Sequence, residues 1–290
     1  MALIDLTESN VILTGASRGL GEQIARAMWQ KRANLFLVAR SESALFQLKS
    51  ELVSLSSEKQ EIYIFRADLA DPSAPNAIIS KAQEVWKKID VLVNNAGIPG
   101  PIGKLWENSW DEWQVTLQVN LLAQVSLCQR VLPWMIESQK GKIINLSGGG
   151  ATTPRPNFSA YATAKTALVR FSEILAHEVK DYNIHVNCIS PGAMNTAMLE
   201  AVRQAGPEKA GDIEFARAME CDNDKNSVYT RAVELCCFLA SSASKGITGK
   251  LISAVWDSWK SLSEHLEDLN NSDIYTLRRI VPKDRGKEWG

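Results

Sequence analysis

Val11-Ile12-Leu13-Thr14-Gly15-Ala16-Ser17-Arg18-Gly19-Leu20-Gly21 continues through EQIARAMWQKR to Arg32. The apolar run at 11–14 reads as a β-strand, and GLGEQIARAMWQKR reads as a helix. Between them lies a turn with three glycines. Glycine permits left-handed backbone and a close approach of another group. The N-terminus of the helix that follows carries unpaired N–H groups and the positive end of a dipole, so the turn is expected to hold a phosphate anion. Its spacing is not the common G-x-G-x-x-G.

The same rhythm extends along the chain. Short Val/Ile/Leu runs fall at NLFLVAR from Asn34, EIYIFRADL, IDVLVNNAG, GKIINLS, NIHVNCIS and GKLISAV. They are continuous rather than alternating, which is how parallel strands covered on both faces read. Helical stretches separate them: SESALFQLKSELVSL with Ser41 as N-cap, 74–88, 109–138, a helix reaching about Tyr182, and VYTRAVELCCFLA. Strand–helix alternation with right-handed crossovers predicts a doubly wound parallel α/β sheet. The segment 194–227 breaks the rhythm with AGPEKAG and DNDKN and is expected to act as a lid over a crevice.

In the helical run FSAYATAKTALVRF, Tyr161 and Lys165 are four residues apart and leave one helix face a turn apart. An ammonium beside a phenol favours the phenolate, which suits the movement of a proton on or off an alcohol oxygen.

Composition narrows the alternatives. The chain has 290 residues, a net charge of −1 and 45% hydrophobic residues. That is enough for one large core and gives no general attraction to nucleic acid or an anionic membrane. No apolar run approaches the ~20 residues of a membrane span. MALIDLTESN lacks a basic region followed by an apolar core, so no secretory signal is expected. Cys128, Cys188, Cys221, Cys236 and Cys237 lack C-x-x-C spacing and read as reduced thiols of a cytoplasmic protein. His177, His185 and His265 are scattered without metal-ligand spacing.

TGASRGLG, NNAG at 94–97, Asn120, a serine after the fifth strand, YATAK at 161–165 and PGAMNT at 191–196 occur in one order. That order, over about residues 8–254, resembles the short-chain dehydrogenase/reductase family. The resemblance implies a Rossmann-type single domain over 1–254 that moves hydride between a nicotinamide and an alcohol or carbonyl, with 255–290 as a C-terminal extension. Tyr161 would be the acid/base, and Lys165 would bind the nicotinamide ribose and lower the tyrosine pKa. Asn120 would hold a water in the proton relay. Gly15, Ser17, Arg18, Gly19, Leu20, Gly21, Asp68, Leu69, Asn94, Ala96, Gly97, Pro191, Gly192 and Thr196 would line the cofactor, Asp68 at the adenine and Thr196 at the carboxamide.

The serine that bonds the substrate oxygen usually falls third after the asparagine of the fifth strand. Here Asn145-Leu146-Ser147-Gly148 puts Ser147 second and glycine third. Ser147 is the candidate, Ser159 is the fallback, and a site with no acting serine is the third possibility. After the second strand, Ala39-Arg40-Ser41 offers no acid, and Arg18 lies within the glycine turn. Two guanidiniums without an acid suit the 2′-phosphate of NADP(H) over NAD.

The expected activity interconverts a small-molecule carbonyl and a secondary alcohol, in a protein forming a homodimer or homotetramer. Alternatives are a nucleotide-binding sensor or scaffold without turnover, and a relative that uses bound cofactor for epimerisation or dehydration. Ile98, Pro99, Pro101 and Ile102 are expected to wall the crevice. Trp256 and Trp259 after the last strand are expected to be buried. Arg278 and Arg279 read either as partners of an anionic substrate or as solvated tail residues.

Overall fold

Continuous apolar strands need cover on both faces, and the chain supplies it. A computed structural model describes residues 4–289 other than 56–58, 195 and 221–224. Cys221 and Asn195 therefore lie outside the described residues, as does part of the 194–227 segment.

Seven parallel strands are β1 (Asn10–Thr14), β2 (Asn34–Ala39), β3 (Ile62–Arg66), β4 (Val91–Asn94), β5 (Gly141–Leu146), β6 (Ile184–Ser190) and β7 (Leu251–Ser253). Their order in the sheet is β3-β2-β1-β4-β5-β6-β7. The helices are α1 (Gly19–Gln30), α2 (Glu42–Ser54), α3 (Ala74–Val85), α4 (Trp110–Leu117), α5 (Ala123–Glu137), α6 (Ser159–Glu178), α7 (Ala197–Ala210), α8 (Asp212–Glu220), α9 (Lys225–Ala240) and α10 (Leu266–Asn271).

Successive strand residues point to opposite faces, so one run feeds two cores. Val11 and Leu13 join α1, α2 and α9 in one apolar cluster. Ile12, Phe36 and Leu92 join α3 and α5 in the other. Strand order reverses between β1 and β4, which opens a crevice at their carboxyl ends. Ser41 caps α2 as expected, accepting from the Ala44 N–H at 3.3 Å.

Two expectations change. The single helix over 109–138 is two helices joined by a π-helical turn, Gln118–Leu122. Trp256 is 86% exposed, whereas Trp259 is 3% exposed and packs 5.7 Å from Phe238 in the first core. The segment after 254 packs into the body, with Trp259, Leu262 and Leu269 all in that core. It also covers the outer edge of β7, where Leu251 donates its N–H to the Tyr275 carbonyl at 2.8 Å. Arg278 is engaged within this segment by Asp273 and Asp284.

Candidate active site

The β1–α1 turn is built so tightly that only glycine fits. Gly15 has φ +68°, and a Cβ there would lie 2.9 Å from the Ala96 backbone. A Cβ on Gly21 would overlap the Gly15 carbonyl. The turn is tied across the crevice to the end of β4. Asn95 donates from Nδ2 to the Thr14 carbonyl at 2.9 Å, and the Asn95 and Ala96 N–H groups each donate to Thr14 Oγ1 at 3.1 Å. The glycine turn and the NNAG turn thus form one floor. Thr196 joins it, its methyl 3.8 Å from where a Gly19 Cβ would be. Pro191 and Gly192 follow β6 at the same carboxyl edge.

Arg18 and Arg40 stand exposed at the carboxyl ends of β1 and β2. Among the described residues neither has an ion-pair partner. Asp68 is exposed after β3 and accepts the Ala70 N–H at 3.0 Å. Leu69 is buried beside it, its carbonyl accepting from Gln118. Asn94 turns inward: its Nδ2 donates to Asn145 Oδ1 at 2.9 Å, bracing β4 against β5.

The first turns of α6 carry Tyr161 and Lys165 into the same end of the sheet. They are 5% and 2% exposed. Lys165 Nζ donates to the Leu146 carbonyl at 2.6 Å, fixing it at the tip of β5. It lies 6.0 Å from the Tyr161 ring centroid. Burial disfavours charge on both groups. It pushes the phenol up to about 12 and the ammonium down to about 8. The cation that opposes burial at the phenol is the Arg155 guanidinium.

Asn120 sits in the π-helical turn. Its carboxamide clasps one residue of the loop after β4, with Nδ2 donating to the Ile98 carbonyl at 2.8 Å and Oδ1 accepting the Ile98 N–H at 2.9 Å. Gly97 comes between Asn120 and Lys165: a Cβ there would be 3.2 Å from Oδ1 and 3.8 Å from Nζ.

The serine question has a geometric answer in part. A Cβ on Gly148 would overlap the Tyr161 hydroxyl, so residue 148 is the one that faces the phenol. Ser147 continues the strand, donating its N–H to the Ile189 carbonyl at 2.8 Å, and its buried Oγ has no hydrogen-bond partner among the described residues. Ser159 Oγ accepts from Trp113 Nε1 at 3.2 Å.

Phe158, Val202, Ala210 and Ala218 form a small apolar cluster with Ile102, seating α7 and α8 on the mouth of the crevice. Sequence reasoning missed Thr14 and Asn95 as the tie between turns, and Arg155 and Glu214 altogether. Thr14 and Asn95 lay inside motifs already singled out. Arg155, in the loop run TTPRPN six residues before Tyr161, had a local signal as well. Glu214 had none, because its partner is 59 residues away.

Comparison with known proteins agrees with this geometry. A model of the short chain dehydrogenase family matches residues 9–207. The oxidoreductase UcpA of Escherichia coli is 34% identical over 246 residues, covering 84% of this chain and 92% of that protein. The 2,3-dihydro-2,3-dihydroxybenzoate dehydrogenase of Bacillus subtilis is 33% identical over 186 residues, covering 64% and 70%. Among solved structures, levodione reductase superposes with a TM-score of 0.76 at 26% identity, covering 89% of this chain and 99% of that one. A protein of Beutenbergia cavernae with bound NADP at low occupancy gives 0.75 at 25% identity, covering 87% and 96%. The chain belongs to the short chain dehydrogenase family and has its Rossmann-like fold.

Proposed function

We propose that this chain is an NADP(H)-dependent oxidoreductase that interconverts a carbonyl and a secondary alcohol. The observation that carries the proposal is the buried pair Tyr161 and Lys165, set at the carboxyl ends of β4 and β5 beside a turn where only glycine fits. The residues suit a dinucleotide: Gly15 and Gly21 leave no room for a side chain, and the N-terminus of α1 points at the turn. When bound, a nicotinamide exchanges hydride with the substrate carbon.

Everything else is work for the chain. Tyr161 gives the proton to the carbonyl oxygen in reduction and takes it from the alcohol in oxidation. Lys165, anchored on Leu146, supplies positive charge near the phenol and binds ribose hydroxyls. Asn120 fixes the Ile98 backbone and keeps spare hydrogen-bonding capacity for a water in the relay. Gly15, Ser17, Gly19, Leu20, Gly21, Ala96, Gly97, Pro191, Gly192 and Thr196 line the cofactor groove, with Asp68 and Leu69 at its adenine end. Ser147 is left out of the reacting set, because the Cβ position that meets the phenol is that of residue 148.

Exposed Arg18 and Arg40, without an ion-pair partner among the described residues, favour NADP(H), as does the NADP held by the Beutenbergia relative. The buried thiols Cys128, Cys188, Cys236 and Cys237 fit a reducing cytoplasm. No helix among the described residues is long and apolar enough to cross a membrane. Trp110, Val115 and Leu122 expose apolar surface along α4 and the π turn, which suits assembly into a homodimer or homotetramer.

The test is NADPH oxidation against a panel of sugars, steroids, acyl thioesters and small ketones. Tyr161→Phe is expected to lower kcat by ~10²–10⁴-fold with cofactor binding kept, and Ser147→Ala to stay within about tenfold of the parent. Arg40→Asp is expected to reverse the preference for NADPH over NADH in kcat/KM. Near-normal turnover in Tyr161→Phe removes the mechanism. NADPH binding without oxidation across the panel favours a sensor, a reading that glycine in place of a side chain at the phenol keeps open.

A further inference from the structure

Two cations flank Tyr161, and they come from different parts of the chain. Lys165 belongs to the same helix. Arg155 comes from the β5–α6 loop, its guanidinium carbon 5.9 Å from the Tyr161 ring centroid and 3.9 Å from that of Phe158. Arg155 is held from behind by α8: Glu214 Oε2 accepts from Nε at 2.8 Å and lies 2.7 Å from Nη2. The other Glu214 oxygen meets Arg217 at 3.1 Å. Both side chains of the Arg155–Glu214 pair are four-fifths buried. Stacking on Phe158 with a two-atom grip on one carboxylate suits the flat guanidinium and not an ammonium.

Among the described residues, the other groups that face the phenol bring no charge. Gly148 faces its oxygen after β5, while Gly97 follows β4 and Asn120 sits in the π turn close to Lys165. Lys165 is pulled down to about 8 by burial, well below the phenol, so the cation that bears on the charge state of Tyr161 is Arg155, with Glu214 behind it.

We propose that Arg155, gripped by Glu214, is a positioning residue that couples the seating of α8 to the proton-donating power of Tyr161. This deepens the proposed function and rests on Tyr161 being the acid/base. A full charge roughly 6–8 Å from the hydroxyl, at an effective dielectric of ~20, moves a titration by about one and a half to two pH units. Glu214 opposes part of that field, so in the parent the phenol feels less than the full effect of Arg155. Burial keeps the phenol protonated, as a donor to a carbonyl must be, and Glu214 limits how far Arg155 can lower it. Removing Arg155 or Glu214 then moves the phenol in opposite directions, which a purely structural pair would not do.

The experiment titrates Tyr161 directly, by fluorine NMR of protein carrying ring-fluorinated tyrosine, whose phenol titrates lower than that of tyrosine. The signal is assigned by its loss in Tyr161→Phe. Arg155→Met is expected to raise the midpoint by about one and a half to two pH units, and Glu214→Gln to lower it by a smaller amount, about one unit. Arg155→Lys is expected to fall nearer the parent, and the basic limb of the kcat–pH profile is expected to follow the same order. Midpoints that stay put in both charge-removing variants, or that move the same way, overturn the proposal. If Arg155→Met does not fold, Glu214→Gln and Arg155→Lys decide it by the same signs. The NMR readout needs no turnover, so an absence of hydride chemistry and an absence of coupling are separate results.

Discussion

Lys165 illustrates a residue kept at a cost to stability. Its ammonium is buried at the tip of β5 with one carbonyl for company, and burial pulls it down to about 8. A folded-state pKa below the unfolded value means the unfolded chain binds more protons between about pH 8 and pH 10.5, so stability rises with pH through that window. Below it the folded state carries the full penalty of a buried charge. Lys165→Met removes the titration. The stability advantage of the variant over the parent is therefore expected to be largest near pH 7, on the order of 1–3 kcal/mol before the lost Leu146 contact is counted, and to shrink by about pH 10. Thermal or urea unfolding of both proteins across that range checks it. A gap that widens with pH would mean the ammonium is stabilised where it sits. The motif alone gave the opposite emphasis: Y-x-x-x-K reads as a cation lowering a phenol, whereas in the folded chain burial governs both groups, and the cation opposing it at Tyr161 is Arg155.

Elements decide what the sequence pattern can and cannot disclose. Strands announced themselves because a strand covered on both faces must be apolar throughout, and their carboxyl ends carried the motifs. The run from 109 to 138 read as one helix because its apolar spacing continues through the break. A π-helical turn adds a residue to a turn without changing composition, and only the backbone shows it. That turn presents Asn120 to the Ile98 peptide. Both backbone groups of Ile98 are served by one buried side chain, and losing that partner leaves them unsatisfied. Asn120→Ala is expected to destabilise the fold by about 2–4 kcal/mol as well as lower kcat. Chemical denaturation measures the first, and steady-state kinetics the second. A variant that loses activity at parental stability would assign Asn120 to the relay alone.

The whole molecule closes over its own edge. A sheet ending at β7 would leave a row of N–H and C=O groups open to another chain. The segment after 254 covers it: Lys250 Nζ donates to the Ile274 carbonyl at 2.9 Å, and the Leu277 N–H donates to Glu173 Oε1 at 2.6 Å. Leu277 also packs with Ala151, Val169 and Cys188, so this segment touches the loop that presents Gly148 and Arg155. None of this was legible beforehand, because Trp256 and Trp259 are three residues apart in similar surroundings and only long-range packing sends one to solvent and the other to the core. Truncation after Ala254 removes Trp259, Leu262 and Leu269 from an apolar core at roughly 2 kcal/mol or more apiece, a large part of the ~5–15 kcal/mol that holds a domain folded. The expected product aggregates or melts many degrees lower. Leu277→Ser is the gentler probe. It leaves those three residues in place, so it is expected to cost about 1–2 kcal/mol in unfolding experiments and to lower kcat more than it raises KM, because the loop beneath Tyr161 loses a support while the cofactor turn does not. A truncated protein that melts with the parent and turns over as fast would show that the last thirty-six residues lie on the body without holding it.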